Sequence, residues 1–351
     1  MTRTFQEGKT RPPAVKNLDG PKEVVDWQGV RSRCRADSMS ISLAWLSQAP
    51  PHCWMRRNRG GGPRSRRHAA RTREHAAERC VLPGRSGPRS LPRMRIATWN
   101  VNSVKAREGR VGQWLEEHRP DVLCLQELKT TDEAFPSPMV AEAGYAAAVH
   151  GQKTYNGVAI LSPHEIADVV RGMGDGDPQA RFIQVKVRGI TILSAYFPNG
   201  RSVGSEAFEY KLEWMRRLRT WLDENLSPSD PVALAGDFNV APDSGDVANP
   251  DRWARSVLCD PQARGALEVI RSWGFVDVFR KHHPDGGVYS WWDYRQLAFP
   301  RNDGLRIDHV FATPVLADRS TGAYIDRDQR KGPKSDKPSD HAPVVVDFDW
   351  P

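Results

Sequence analysis

Met94 divides the chain into two textures, and only the second can build a core. Residues 1–93 show no sustained period of 2 or 3.6, and the stretch Arg56 to Arg93 packs twelve arginines among Gly, Pro and Ser. Such a segment buries too little apolar surface to offset the entropy lost on ordering it, so disorder is expected. From Met94 to Pro351, short apolar runs alternate with helical patterns, the rhythm of an α/β or α+β domain. Three accounts of residues 1–93 compete. Their length and the acidic residues Glu7, Asp19, Glu23 and Asp26 argue against an organelle-targeting peptide. A nucleic-acid-binding tail remains open. The favoured account is sequence outside the natural product, because a start at Met94, just before the first clean strand, would give a complete domain.

Charge follows the same division. The formal net charge of +8 is the sum of an excess of +13 in residues 1–93 and a deficit of −5 in the remainder. The folded part is thus mildly acidic and would attract a polyanion only through local patches or a bound cation. No apolar run approaches the 18 or so residues needed to span a bilayer, which excludes a transmembrane protein. The five cysteines, Cys34, Cys53, Cys80, Cys124 and Cys259, have no metal-ligand spacing, and free thiols in a reducing compartment are expected.

The patterning predicts strands over Arg95 to Trp99, Val122 to Gln126, Gly157 to Leu161, Phe182 to Val187, Ile190 to Phe197, Pro231 to Asp237, Val288 to Asp293, Arg306 to Ala312 and Pro343 to Phe348. Helices are predicted over Ser103 to His118, Ser205 to Asn225 and Pro261 to Trp273. In the second of these, Phe208, Leu212, Met215, Leu218 and Leu222 recur at steps of 3 and 4 and lay one apolar stripe. Several connections are too short for helical crossovers, so a mixed, largely antiparallel sheet system is expected.

Polar residues gather where these strands stop. Asn100 and Asn102 follow Ile96 to Trp99, Glu127 follows Val122 to Gln126, and Asp237 and Asn239 follow Val232 to Gly236. Asp308 lies in Arg306-Ile307-Asp308-His309, and Asp340-His341 opens the last strand. Strands leaving a core at one edge can pool such side chains into one pocket. Each alone has an ordinary reading: Gly236-Asp237-Phe238-Asn239 as a tight turn, Glu127 as a solvated strand end, Asp308 as an ion-pair partner and Tyr196 as packing.

Taken together, Thr98-Trp99-Asn100-Val101-Asn102, Leu125-Gln126-Glu127-Leu128-Lys129, Tyr196-Phe197-Pro198-Asn199-Gly200, Gly236-Asp237-Phe238-Asn239-Val240, Gly304-Leu305-Arg306-Ile307-Asp308 and Ser339-Asp340-His341-Ala342-Pro343 resemble the endonuclease/exonuclease/phosphatase superfamily. Within it they are most similar to the exodeoxyribonuclease III branch, the abasic-site endonucleases of base excision repair. The resemblance covers residues 94–351 and none of 1–93. It implies a DNase I-like, four-layer αββα sandwich of two packed mixed β-sheets, with the site at one end of the strands. It implies Glu127 as principal ligand of a divalent metal, with Asn100 beside it, and Asp237, Asn239, Asp340 and His341 around the ion. Asp237 would handle the water's proton, Asn239 and Tyr196 would hold the phosphate, and Asp308 would pair with His341.

Phosphodiester hydrolysis places negative charge on phosphoryl oxygens and on a leaving alkoxide, which suits Mg²⁺ with one or two carboxylates, Mn²⁺ being able to substitute. Whether Asp237 acts as base or as acid, and the sign of its pKa shift, stay open at this level. Tyr289-Ser290-Trp291-Trp292-Asp293-Tyr294-Arg295 resembles the repair-nuclease pattern in which Trp291, Leu305 and Ile307 line an apolar slot for an extruded base-less sugar. One of the adjacent Trp291 and Trp292 is expected to point into the core. Lys129 and Arg201, with Lys105 and Arg107, are candidates for phosphate-backbone contacts or, equally, solvated charges, and the resemblance implies Asn102 as a further substrate-binding residue. The implied activity is Mg²⁺-dependent cleavage of duplex DNA at abasic sites and from 3′ ends, by a cytoplasmic, nucleoid-associated monomer with no membrane partner. The alternatives are a phosphatase or phospholipase on the same scaffold, and a binding protein working through its Arg-rich tail.

Overall fold

Six of the central strands are apolar at both parities, which forces them to be covered on both faces. The computed structural model describes residues 93–333 and 336–351; the expectation of disorder over 1–92 lies outside them. One sheet is made of β1 (Arg93–Asn100), β2 (Val122–Gln126), β3 (Ala146–His150), β4 (Val158–Ser162), β11 (Ser320–Ile325) and β12 (Val344–Asp349), in the order β11-β12-β1-β2-β4-β3. The other has β5 (Ala167–Arg171), β6 (Phe182–Val187), β7 (Ile190–Tyr196), β8 (Val232–Asp237), β9 (Val276–Asp277) and β10 (Asp308–Ala312), in the order β5-β6-β7-β8-β10-β9. Each sheet contains one parallel pair, β1 with β2 and β7 with β8, and is otherwise antiparallel.

Alternation assigns the faces. Ile96, Val122, Cys124, Val344 and Val346 point inward against Ile183, Val185, Ile192, Ala233, Ala235 and Val310, forming the core between the sheets. The opposite parity of the first sheet, Ala97, Trp99, Leu123, Leu125 and Val345, is covered by α1 (Glu108–His118) through Val111, Trp114 and Leu115, and by α2 (Ser137–Glu142) through Val140. On the second sheet Leu193, Ala195, Val232 and Leu234 meet α3 (Glu206–Asn225) and α5 (Pro261–Arg271). The result is the four-layer sandwich expected. Short helices α4 (Pro250–Trp253), α6 (Val278–His282) and α7 (Pro314–Ala317) fill connections.

The helix α3 begins where Ser205 accepts a hydrogen bond from the Phe208 amide, and α1 starts five residues late behind a 3₁₀ turn, Lys105–Arg107. The strand expected over Val288 to Asp293 does not form. Trp291 makes single bridges to Leu305 and to His341, so this segment threads between two loops rather than joining a ladder. Trp292 is the inward member of the tryptophan pair, fully buried, while Trp291 is half-exposed. Cys124 and Cys259 are free and buried; Cys34, Cys53 and Cys80 lie outside the described residues. Among the described residues no helix is long and apolar enough to cross a membrane.

Beneath the loops lies a buried ionic cluster. Arg306 Nε donates to Asp246 at 2.6 Å, Nη2 to Asp277 at 2.8 Å, and Nη1 to His309 Nδ1 at 3.0 Å. His309 Nε2 sits 3.0 Å from Val240 O, so the ring is neutral, donating there and accepting from the guanidinium. Burial first, and then the Arg306 charge, push His309 down to about 3. The unfolded chain, with an ordinary imidazole, binds this proton below about pH 6.5 whereas the folded protein does not until about 3. Stability should therefore fall as pH drops through that window, by up to about 1.4 kcal/mol per pH unit for this group. Urea midpoints at pH 7, 6 and 5 should show a slope that His309→Gln flattens; equal slopes in both proteins would contradict the assignment.

Candidate active site

Because β1 and β2 run parallel, as do β7 and β8, four strands end at one edge of the sandwich. Asn100 stands opposite Gln126, next to Glu127, and Tyr196 stands opposite Asp237. The antiparallel β10 starts at that edge with Asp308 opposite Asp237, and His341 enters it just before β12. Several non-glycine residues there are in the left-handed region: Asn102 (φ 47), Glu127 (φ 53), Lys129 (φ 55), Arg201 (φ 54) and Asn239 (φ 50). A strand that must turn at its last residue and still aim a side chain into a pocket adopts this geometry, at roughly 1–3 kcal/mol per residue for the non-Asn cases. Gly236 is required beside Asp237 because a methyl group there would lie 1.9 Å from Ala195 O on β7.

The side chains interlock. Asn100 Nδ2 donates to Glu127 Oε1 and to Asp237 Oδ2, both at 2.9 Å, linking the two sheets. Asp237 Oδ1 also accepts the Asn239 amide at 2.9 Å, and Oδ2 accepts Asn239 Nδ2 at 3.2 Å. Asn199 Nδ2 donates to Asn239 Oδ1 at 2.8 Å. Tyr196 Oη donates to Glu127 Oε1 at 3.0 Å, and Lys129 Nζ lies 2.9 Å from Glu127 Oε2. His341 Nδ1 faces Asp308 Oδ2 at 2.9 Å and its Nε2 lies 3.8 Å from Asp237 Oδ2.

Electrostatics follow from burial and from these neighbours. Burial raises Asp237 to about 7; the His341 charge opposes that rise and Asp308 adds to it. For His341 burial acts downward, but Asp308 and Asp237 outweigh it and lift the imidazole to about 10, so it is a fixed cation at neutral pH. Burial would raise Glu127, yet Lys129 and Asn100 hold it below the usual carboxylate range. Asp340 is likewise lowered against its burial, by His341, Asn102 and Trp291. Tyr196 is pushed well above 10 by burial and by the Glu127 and Asp237 carboxylates, which keeps its hydroxyl a donor.

Around this centre, Asn102 Nδ2 donates to Asp340 Oδ1 at 2.8 Å and Trp291 Nε1 to Asp340 Oδ2 at 3.0 Å. Trp291 lies 6.5 Å from the His341 ring, with Trp253 packed edge-on against it at 5.6 Å. Leu305 and Ile307 are 0% and 2% exposed beneath them, within the core against α3 and α5, so of the three slot residues only Trp291 reaches solvent in this structure. Arg201 is exposed on the rim of a cavity of about 570 Å³ that also includes Arg181, Tyr196, Asn199 and Tyr210. Lys105 is exposed, but Arg107 is buried and ties down loops, donating to Asn102 O, Tyr294 Oη and Pro338 O. The sequence offered a phosphate contact or a solvated charge at this position, and the guanidinium bonds within the protein.

Two contributors escaped the sequence. Ser290 Oγ donates to Asp308 Oδ2 at 2.6 Å while accepting the Ile307 and Asp308 amides, thereby fixing the carboxylate that orients His341. A buried serine carries no local signature. Arg181 stacks over the Tyr196 ring, 4.7 Å from its centroid, and donates to Tyr196 O at 3.2 Å.

Glu127, Asp237 and His341 each bring one ligand atom to within 4.8 Å of the others. Two carboxylates flanked by amides, with the imidazole Nδ1 already committed to Asp308, make an oxygen-rich set that fits a hard divalent cation better than zinc. The sequence is similar along 269 residues to exodeoxyribonuclease III of Haemophilus influenzae, at 35% identity over 73% of this chain and all of that one. Among solved structures, an AP endonuclease from Archaeoglobus fulgidus matches with TM-score 0.70 and 40% identity, over 73% of this chain and 99% of that one. The 3′ phosphatase NExo from Neisseria, bound to a product DNA hairpin, matches with TM-score 0.70 and 38% identity, over 73% and 100%. Residues 97–341 match the model of the Endonuclease/Exonuclease/phosphatase family. With that match spanning most of its length, and a fold and strand-end centre that agree, the chain belongs to the endonuclease/exonuclease/phosphatase family.

Proposed function

We propose that this protein is a Mg²⁺-dependent phosphodiester hydrolase of duplex DNA that cleaves beside abasic sites and removes nucleotides from 3′ ends. The observation that carries the reading is the convergence of Glu127, Asp237 and His341 within 4.8 Å at the common edge of two sheets. Relatives named as exodeoxyribonuclease III, AP endonuclease and 3′ phosphatase support a DNA substrate. Glu127 and Asp237 would hold the ion, with the Asn100 and Asn239 amides at its margin; when bound, it neutralises charge growing on the phosphate. Burial raises Asp237 and a bound cation lowers it, and its carboxylate is the group placed to exchange a proton with water. It takes the proton of the attacking water. His341, held protonated by Asp308, donates to a phosphoryl oxygen where negative charge develops. The Tyr196 hydroxyl and the Asn239 amide supply two further donors. Asp340 holds Asn102 and Trp291 at the rim, where Trp291 would wall an extruded sugar above Leu305 and Ile307, while Lys129 and Arg201 meet backbone phosphates.

The test is a duplex carrying one tetrahydrofuran abasic mimic, incubated with full-length protein and with protein starting at Met94, with and without EDTA. Cleavage 5′ to the lesion by both proteins, abolished by EDTA, is expected. Full activity in EDTA, or cleavage of inositol phosphates instead of the duplex, would defeat the reading. The second protein tests the further proposal that residues 94–351 form the catalytic domain by themselves.

A further inference from the structure

The stripe that α3 buries contains one charged residue. Between Phe208 and Met215, at steps of three and four, stands Lys211, with no exposed surface. A lysine in that position surrenders its hydration, which is tolerable only where each N–H finds an acceptor. Among the described residues no carboxylate pairs with it. Nζ donates instead to three backbone carbonyls: Asn239 O at 2.7 Å, Val257 O at 2.9 Å and Asn199 O at 3.3 Å. Burial draws the Lys211 pKa down to about 7 against the pull of Asp237 and Asp260, and the three acceptors match the three N–H groups of the ammonium form.

These carbonyls belong to three separate turns. Asn199 follows Tyr196 at the end of β7, Asn239 follows Asp237 at the end of β8, and Val257 lies between α4 and α5. The first two turns touch through Asn199 Nδ2 and Asn239 Oδ1, and Asn239 in turn bonds both oxygens of Asp237. The chain crosses directly over the lysine stem: a methyl group on Gly200 would lie 3.1 Å from Lys211 Cδ. Packing alone would be served as well by methionine, so the ammonium has another task.

We propose that Lys211 is a positioning residue for the hydrolysis, gathering the β7 and β8 turns so that the Asn239 amide holds Asp237 in its working orientation. It acts through Asn239 and touches no reacting atom. This rests on the DNA hydrolase reading above.

The experiment uses full-length Lys211→Met, Asn239→Ala and the double variant on abasic duplex with Mg²⁺, well below each protein's melting temperature. Lys211→Met should lower kcat about 10–100-fold, the size expected of a misplacement near 1 Å, with KM within about threefold of wild type. The double variant should be no slower than Asn239→Ala alone, since one residue works through the other. Unchanged kcat in Lys211→Met, or losses that multiply in the double variant, would overturn the proposal. Should Lys211→Met not fold, Lys211→Arg replaces it, because a planar fork cannot aim its donors at three converging carbonyls; the same kcat criteria apply. An inactive wild type would defeat the hydrolase reading alone. The positioning role would then be read from hydrogen exchange of amides in 197–200 and 237–240, expected to quicken about tenfold in the variant, unchanged exchange refuting it.

Discussion

Asp237→Asn should lower turnover on abasic duplex by about 10²–10⁴-fold while duplex binding is retained. The substitution preserves shape but removes the acceptor for the water's proton. It also breaks a satisfied set, for both Asp237 oxygens accept hydrogen bonds, from Asn239 N on one and from Asn100 and Asn239 Nδ2 on the other. An amide can satisfy only one of the two, leaving a buried donor unpaired at about 1–3 kcal/mol. Loss of a buried charge beside Asp308 works in the opposite direction, so the melting temperature should move little while kcat collapses. Single-turnover cleavage and fluorescence anisotropy on the same duplex separate the two effects. Near-wild-type turnover would remove Asp237 from the chemistry.

The second large effect concerns Glu127. Its carboxylate is kept ionised by Lys129 and Asn100 against the pull of burial, which is the state a dication requires. Glu127→Ala should reduce the rate at fixed Mg²⁺ by about 10²–10³-fold, as expected when a charge-stabilising group is lost. The Mg²⁺ midpoint should rise at least about tenfold, and excess Mg²⁺ should recover part of the rate. A titration of activity against Mg²⁺, with circular dichroism to verify folding, reads both. An unchanged midpoint would assign the ion to other ligands. Asn100 and Tyr196 both bond Glu127 Oε1, so the variant also frees those donors, and their reorganisation is why rescue should be incomplete.

How much could be read in advance depended on burial. The strands legible in the sequence, such as Val122–Gln126 and Val232–Asp237, are central and buried on both faces. The four that passed unnoticed, β3, β5, β9 and β11, are the four sheet edges. They are held by backbone pairing on one side and lack an apolar signature; β5 is almost wholly exposed. The opposite error, a strand over Val288–Asp293, arose because aromatic side chains that pack between loops look like those of a ladder. In the site, residues at strand ends were legible as motifs. Ser290 and Lys211 were not, since their work is hydrogen bonding across the fold, although a lysine on the buried stripe of α3 was visible as an irregularity. Leu305 and Ile307, expected with Trp291 to line a slot, are buried in the core, and the packing of Trp253 edge-on against Trp291 had no signal in the sequence.

The bond from Asn100 on one sheet to Asp237 on the other has a mechanical meaning. The first sheet brings Glu127 and the second brings Asp237 and Tyr196, so neither layer owns the pocket. Any slippage of one slab along the other would pull the carboxylates apart before a single strand frayed, which makes the molecule's resistance to shear, rather than the rigidity of its individual loops, the property that keeps it competent.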